Sequence, residues 1–284
     1  MILVDMNQVT LSNLMIQIGR NEEVDPDMVR HMVLNSLRGY RNRFSEEYGE
    51  LVLCYDNKGN WRRDYFPNYK HGRRKDRKAS KLDWGSIFDT LHLIKTELQE
   101  NFPYKVLEVE DAEADDIIAS VVSYVAQAPS HYEKVLIVSG DKDFIQLQKH
   151  NFVTQYSPTL KKFVNGIDPN VYIKEHILKG DRSDGVPNFL SPDNCFVDDM
   201  RQRPISKKKL ATWIDLDPED FCNEEMLRNY QRNRKLIDLE YAPAGITDRC
   251  IQAYLNSTVK NRSGLLNYFI KHRLKNHMEN IGDF

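Results

Sequence analysis

No run of apolar residues in this 284-residue sequence approaches the roughly 18 that a membrane-spanning helix requires. A membrane partner is therefore not expected. The first residues, Met1-Ile2-Leu3-Val4-Asp5, show neither a basic leader nor a cleavage site, so no signal peptide is expected. Cysteine is scarce, and Cys54, Cys195, Cys222 and Cys250 fall at no spacing suited to a zinc site or a redox pair. Reduced, structural cysteines in a cytoplasmic protein follow from that. There is no internal repeat, no low-complexity tract, and no glycine between Gly185 and Gly245.

What is present suits a packed α/β protein. Hydrophobic residues make up 40% of the chain, with three tryptophans, and the length allows one large domain or a core with a smaller appendage. Short strand-like runs occur at Ile2-Leu3-Val4, Leu51 to Tyr55, Lys105 to Val109 and Val135 to Val138. Helical periodicity separates them. One helix is expected from about Val9. A second starts at Asp25-Pro26, an N-cap with proline at the first helical position, and presents Val29, Val33, Ser36, Leu37 and Tyr40. A third, from about Asp83 to Glu100, presents Ile87, Leu91, Ile94 and Leu98. Strands separated by helices predict a mainly parallel sheet with right-handed crossovers. Phe152 to Ser157 and Lys161 to Val164 read as a hairpin around Pro158. Beyond Pro169 the pattern turns helical, is irregular over 188–205, and predicts helices over 224–239, 247–255 and 263–278.

The distribution of acids is more informative than their number. Residues 111 to 118 read Asp-Ala-Glu-Ala-Asp-Asp-Ile-Ile and open a helix whose stripe runs through Ile118, Val122 and Val125. Asp111, Glu113 and Asp116 could serve that helix as caps and dipole partners. Three positions back from Ile118 along the stripe stands Asp115, however, and four acids in six residues exceed what a cap needs. Asp5, Asp56, Asp141 and Asp143 also follow strand ends, and a parallel sheet binds its ligands at that end. With Asp181 and Asp184 of the glycine-flanked stretch Gly180 to Gly185, these carboxylates are expected to share one rim. So many acids repel one another unless cations neutralise them. Hard oxygen ligands without histidine or cysteine favour two Mg²⁺ ions, with Mn²⁺ as a substitute, over zinc. Asp141 and Asp143 address one site if the segment is extended, and Asp181 and Asp184 do so if they lie on a helical turn. Paired ions of this kind suit phosphodiester hydrolysis.

The near-neutral net charge of −2 conceals a segregation. Ten cations against Asp64 and Asp76 give residues 58–81 a net charge of +8, leaving about −10 on the remainder. Trp61, Tyr65, Phe66 and Tyr69 alternate with Arg62, Arg63, Lys70, Arg73, Arg74, Lys75, Arg77 and Lys78, a pattern suited to neutralising phosphates and stacking unpaired bases. A solvated pair of charged helices is the plainer alternative. A second basic patch comprises Arg201, Arg203, Lys207, Lys208 and Lys209.

Strand-Asp5, strand-Asp56, Trp61 to Lys70, Glu113-Ala114-Asp115-Asp116, Gly140-Asp141-Lys142-Asp143 and Gly180-Asp181-Arg182-Ser183-Asp184 occur in the order of the flap endonuclease superfamily of 5′ nucleases, which the chain resembles over nearly its whole length. Within it the ribonuclease H branch of T-even bacteriophages is most similar, down to Asn280-Ile281-Gly282-Asp283-Phe284. The resemblance implies a PIN-like α/β nuclease core over 1–180, a helical arch over about 58–82, and a helical region over 181–284 that contacts DNA or a partner. It implies a monomeric 5′ to 3′ exonuclease and flap endonuclease that removes RNA primers and adjacent DNA during lagging-strand replication, in the cytoplasm of an infected bacterium. Its substrates would be RNA-DNA hybrid and 5′ flap or forked DNA. By the same resemblance Asp5, Asp56, Glu113 and Asp115 surround a first metal, and Asp141, Asp143, Asp181 and Asp184 a second, with Asp116 supporting either. Lys70 and Arg73 match arch cations that contact the scissile phosphate, and the C-terminal region could bind the phage single-stranded DNA-binding protein.

Two departures are visible. The superfamily follows its last acidic motif with a glycine-rich helix-hairpin-helix, for which the glycine-free stretch here offers only Arg201 to Lys209. T-even relatives also carry residues ahead of the first strand, so a sliding-clamp contact there is not expected. Two other classes fit the sequence less well. A haloacid dehalogenase-type phosphatase needs an acid at position 7, where Asn7 stands, and a non-catalytic PIN-like nucleic-acid-binding protein would have lost acids that are all present.

Overall fold

The computed structural model describes residues 1–18, 24–127 and 133–284, without the side chains of residues 12, 13, 16–18 and 74. Strands β1 (Ile2–Asp5), β2 (Leu51–Tyr55), β3 (Lys105–Glu108), β4 (Val135–Val138), β5 (Val153–Ser157) and β6 (Lys162–Val164) form one sheet in the order β3-β2-β1-β4-β5-β6. All neighbours pair in parallel except β5 and β6, the expected hairpin. Ile2 is level with Leu51 on one side and Leu136 on the other. The chain leaves β1 towards β2 and β3, then returns to the far side of β1 with β4. That reversal opens a crevice between β1 and β4, the position where parallel sheets hold ligands.

The central strands read as unbroken apolar runs because both of their faces are covered. Ile2, Val4, Leu51, Leu53, Leu136 and Val138 face one layer, whose core includes α1 (Met6–Ile18), α2 (Pro26–Tyr48) and α5 (Trp84–Asn101). Leu3, Val52, Cys54, Val135 and Ile137 face the other, formed by α6 (Ala114–Gln127) and α11 (Ala244–Asn256). Asp25 accepts a hydrogen bond from the Asp27 amide, so the predicted N-cap is in place, and Asp83 caps α5 in the same way by accepting from the Ser86 amide.

Between β2 and α5 lie α3 (Trp61–Tyr65) and α4 (His71–Ala79). The hairpin leads into α7 (Pro169–Lys179), and after turns and irregular chain over 180–206, as expected for 188–205, the elements are helical: α8 (Lys207–Ile214), α9 (Pro218–Phe221), α10 (Glu224–Ile237), α12 (Leu265–Lys271) and α13 (Lys275–Met278). The helix expected across 263–278 is broken, with Arg273 in a left-handed conformation (φ 54°) between α12 and α13. These C-terminal elements pack on both sheet layers and also build a third cluster that takes in Phe66 and Tyr69. Leu265, Tyr268, Phe269 and Phe284 join the first layer, Leu239, Ile246 and Cys250 join the second, and Leu236 and Ile237 join Phe66, Tyr69, Ile177 and Phe189 in a third cluster. Among the described residues no helix is long and apolar enough to cross a membrane.

Candidate active site

The ends of β1 and β2, and the turns that follow β3 and β4, deliver acids to the crevice. Asp5, last in β1 and buried, accepts hydrogen bonds from Ser139 Oγ at 2.9 Å and the Gln8 amide at 3.1 Å. Burial, then the neighbouring Asp56 charge, push its carboxyl up to about 7. Asp56 caps α6 from outside, accepting from the Ala114 amide at 2.8 Å, and takes a further hydrogen bond from the Asn7 side chain. Asp111 stays out of the cap and forms a tight turn against Gly59.

Asp116 is wholly buried, so it stands behind Glu113 and Asp115 as a supporting acid and not as a ligand itself. Its Oδ2 accepts from the Glu113 amide (3.0 Å), Trp61 Nε1 (3.0 Å) and Arg62 Nη1 (2.9 Å). Arg62 is 1% exposed. It also reaches Glu113 at 3.2 Å and the Leu236 carbonyl at 3.0 Å, lies 3.6 Å from Asp115, and covers the Trp61 ring at 4.6 Å. It is an internal counter-ion and cannot grip nucleic acid as the sequence suggested.

Tyr69 needs the same correction. It is buried, with its hydroxyl 3.0 Å from Glu113 Oε2 and 2.8 Å from Asp184 Oδ2. Trp61 and Phe66 are core residues as well, leaving Tyr65 as the one exposed ring of the four. Basic-aromatic alternation cannot by itself separate an inward face from an outward one on so short a helix.

Lys70 and Arg73 do face the acids. Lys70 Nζ pairs with Glu113 Oε1 and lies 3.5 Å from Asp184, while Arg73 pairs with Asp184 Oδ1. Burial favours a neutral Glu113, but Lys70 and Arg62 outweigh it and hold the carboxyl at about 2. Next to it Asp115 goes the other way, raised by burial and by Asp116 and Glu113 against the pull of Arg62. Lys70 occupies a left-handed conformation (φ 56°) fixed by its own amide, which donates to the Asp184 carbonyl at 2.6 Å. Gly185 makes that approach possible: at φ +74°, an added Cβ would lie 2.9 Å from the Asn68 carbonyl oxygen.

The second set of acids arrives by turns. Asp141 is the N-cap of a 3-10 helix, Lys142–Lys149, and accepts from the Asp143 amide at 3.0 Å, so the pair is brought together by a capping turn and not by extended chain. Asp181 and Asp184 lie on a tight turn closed by an Asp181–Val186 bridge, not on a helix. Burial, then Asp141, push Asp143 up to about 7. Tyr69, Asp115, Asp143, Asp181 and Asp184 line one small hollow floored by Val186, Leu236, Ile237 and Leu239.

Sequence reasoning missed His176, on the last turn of α7, whose Nε2 is 3.6 Å from Asp143 and 3.6 Å from Asp181. Burial disfavours its charge, but Asp181 and Asp143 more than offset this and raise its pKa; the facing imidazole in turn helps hold Asp181 low. The signal was its position five residues ahead of Asp181, on the helix that the acidic turn terminates.

Of the other cations, Lys75 and Lys78 are exposed on α4 and Arg63 is half-buried on α3. Arg77 lies over Trp84 and Phe88 and so anchors α4 to α5. The Arg74 side chain lies outside the described residues. Lys207, Lys208 and Lys209 are exposed on the first turn of α8, outside the lining of the hollow, with Lys209 over Trp213.

Comparison with known proteins bears on this geometry. A family model described as 5′-3′ exonuclease, N-terminal resolvase-like domain, matches residues 11–176, and one described as T4 RNase H, C terminal, matches residues 168–284. The chain is 33% identical over 292 residues to ribonuclease H of Enterobacteria phage T4, covering 99% of this chain and 95% of that protein. It is 29% identical over 137 residues to flap endonuclease Xni of Shewanella oneidensis, 45% of this chain and 48% of that protein. A 25% match to DNA polymerase I of Mycobacterium tuberculosis covers 81% of this chain but 22% of that protein. Among solved structures, the T5 D15 protein co-crystallised with metal ions aligns at a TM-score of 0.59 and 16% identity, covering 89% of this chain and 97% of that one. A T5 D15 flap endonuclease complex with DNA and metal ions aligns at 0.56. These structural likenesses establish the expected PIN-like flap-nuclease fold.

Proposed function

This chain belongs to the 5′-3′ exonuclease family, and from that premise we propose that it removes nucleotides from 5′ ends as a metal-dependent 5′ nuclease and flap endonuclease. The observation that carries the reading is the convergence of Asp5, Asp56, Glu113, Asp115, Asp141, Asp143, Asp181 and Asp184 on one crevice, faced by Lys70 and Arg73.

The donor set fits divalent metal. Asp5 and Asp143 are both held near 7 by burial and neighbouring acids, an arrangement that a cation relieves. Asp5, Asp56, Glu113 and Asp115 would hold one ion, and Asp141, Asp143, Asp181 and Asp184 a second; Mg²⁺ is the proposed ion, with Mn²⁺ able to replace it. Bound there, the ions would supply Lewis acidity to a phosphodiester and ready a water for attack.

The chain's own residues do the positioning. Lys70 and Arg73, held in place by Asp184 and Gly185, present fixed positive charge to the scissile phosphate where negative charge builds in the transition state. Arg62 keeps Glu113, Asp115 and Asp116 in register. Arg63, Lys75 and Lys78 engage the strand backbone, and Lys207, Lys208 and Lys209 the duplex arm. The proposed substrates are 5′ flaps and RNA-primed DNA duplexes. The proposed setting is the cytoplasm of an infected bacterium, with residues 181–284 as the region that meets a single-stranded DNA-binding protein.

The test is incubation of 5′-labelled flap and RNA-primed duplexes in Mg²⁺ beside an Asp143→Asn control. Short 5′ products absent from the control are expected. Tight binding without cleavage in Mg²⁺ or Mn²⁺ would reject the nuclease reading.

A further inference from the structure

The second group of acids brings a nitrogen with it. His176 Nε2 lies 3.6 Å from Asp143 Oδ1 and 3.6 Å from Asp181 Oδ2, and one ligand atom from each of the three residues lies within 4.8 Å of the other two. The nitrogen is closed off from solvent and has no hydrogen-bond partner, whereas buried polar atoms ordinarily have one.

Its surroundings keep the three groups apart yet aimed at one point. Tyr172 stacks on the imidazole at 5.5 Å with the planes 25° apart, which fixes the ring. Asp181 Oδ1 is taken up by the Ser183 and Asp184 amides and the Ser183 hydroxyl, leaving Oδ2 facing the imidazole. A separation of 3.6 Å is too long for a hydrogen bond. Two ligands each about 2.1 Å from a shared ion can stand up to about 4.2 Å apart, so the same separation suits coordination.

We infer that Asp143, His176 and Asp181 form a mixed nitrogen-oxygen site that takes a first-row transition ion in preference to Mg²⁺. The inference rests on the reading of these acids as metal-binding. Mg²⁺ is hard, keeps its waters and gains little from imidazole, whereas the first-row transition ions gain from it, least for Mn²⁺ and more for Co²⁺ and Zn²⁺. The ion position at Asp5, Asp56, Glu113 and Asp115 offers carboxylate oxygen alone. The two positions therefore differ in kind: Mn²⁺ enters beside His176 first, and Mg²⁺ discriminates between them poorly.

Pulsed electron paramagnetic resonance of the full chain with one equivalent of Mn²⁺ tests this without reference to turnover. A coupling from a directly bonded nitrogen is expected in the native chain and lost in His176→Gln. Calorimetric titration should show Mn²⁺ bound at least roughly tenfold more weakly by the variant, with Mg²⁺ affinity changed less than about twofold. A native Mn²⁺ spectrum without nitrogen coupling overturns the inference whatever the variant does. Equal weakening of both metals overturns it too, reducing His176 to a positioning group. Flap cleavage by the native chain in Mg²⁺, run alongside, separates the two failures: cleavage without nitrogen coupling sinks this inference alone, and no ion binding with no cleavage sinks the nuclease reading with it.

Discussion

Arg62 and Asp116 meet at 2.9 Å with neither side chain open to solvent. Removing one member of a buried pair leaves the other charge uncompensated and costs roughly 3–5 kcal/mol. Here Arg62→Met also strands Glu113 and the Leu236 carbonyl. A loss of that size is expected in urea unfolding, and Arg62→Met with Asp116→Asn should cost less than the two singles combined. A single-variant loss under about 1 kcal/mol would contradict the internal counter-ion role.

Asp5 makes stability depend on pH. Its carboxyl rises from 3.8 to about 7 on folding. Between those values the folded chain holds a proton that the unfolded chain has released, so stability from this group falls as pH rises and stays lowered above about 7. His277, pushed down to about 4 by burial and His31, acts oppositely between pH 4 and 6.5, so the comparison must be with a variant. Metal-free Asp5→Asn should gain melting temperature relative to the native chain at pH 8 and gain little at pH 4. Mg²⁺ at pH 8 should then raise the melting point of the native chain more than that of the variant. Parallel pH profiles would rule this out.

Lys70→Ala should slow single-turnover flap cleavage on the order of 100-fold. Dissociation constants measured in Ca²⁺ should move less than about threefold, because the proposed binding surface is made of exposed cations such as Lys75. Native single-turnover rates would remove Lys70 from the chemistry.

Binding should weaken steeply with salt, the slope of log K against log salt reflecting the phosphates neutralised. Lys75→Ala and Lys78→Ala should each reduce that slope by about one. A flat titration of the native chain would contradict α4 as the binding surface.

The sheet was legible because its central strands are short apolar runs, each tipped by an acid, and parallel pairing sends all such tips to one edge. Ile2 to Asp5 and Leu51 to Asp56 needed no tertiary knowledge. The inward-facing members of the basic segment did need it. Arg62 sits beside half-buried Arg63 in sequence, and only the packing of α3 and the turn after it on Asp116 and Glu113 turns Arg62 and Tyr69 inward. His176 was hidden for a related reason: it comes from α7 and meets Asp143, which lies more than thirty residues earlier on another element, beside the turn that carries Asp181. Local pattern also misread how Asp141 and Asp143 are joined, since a capping turn and an extended pair place two acids at the same spacing.

The first core layer joins Ile2 of the opening strand to Phe269 and Phe284. Residues 2 to 284 must therefore all be synthesised before that layer can close. Until residues 265–284 emerge, β1 has its neighbours in the sheet but lacks part of its covering, and the rim that holds Asp5 rests on an unfinished wall. Cutting competence should consequently appear only once residues 265–284 have joined that layer, so that a nascent chain stalled before them carries every acid of the rim without being a working nuclease.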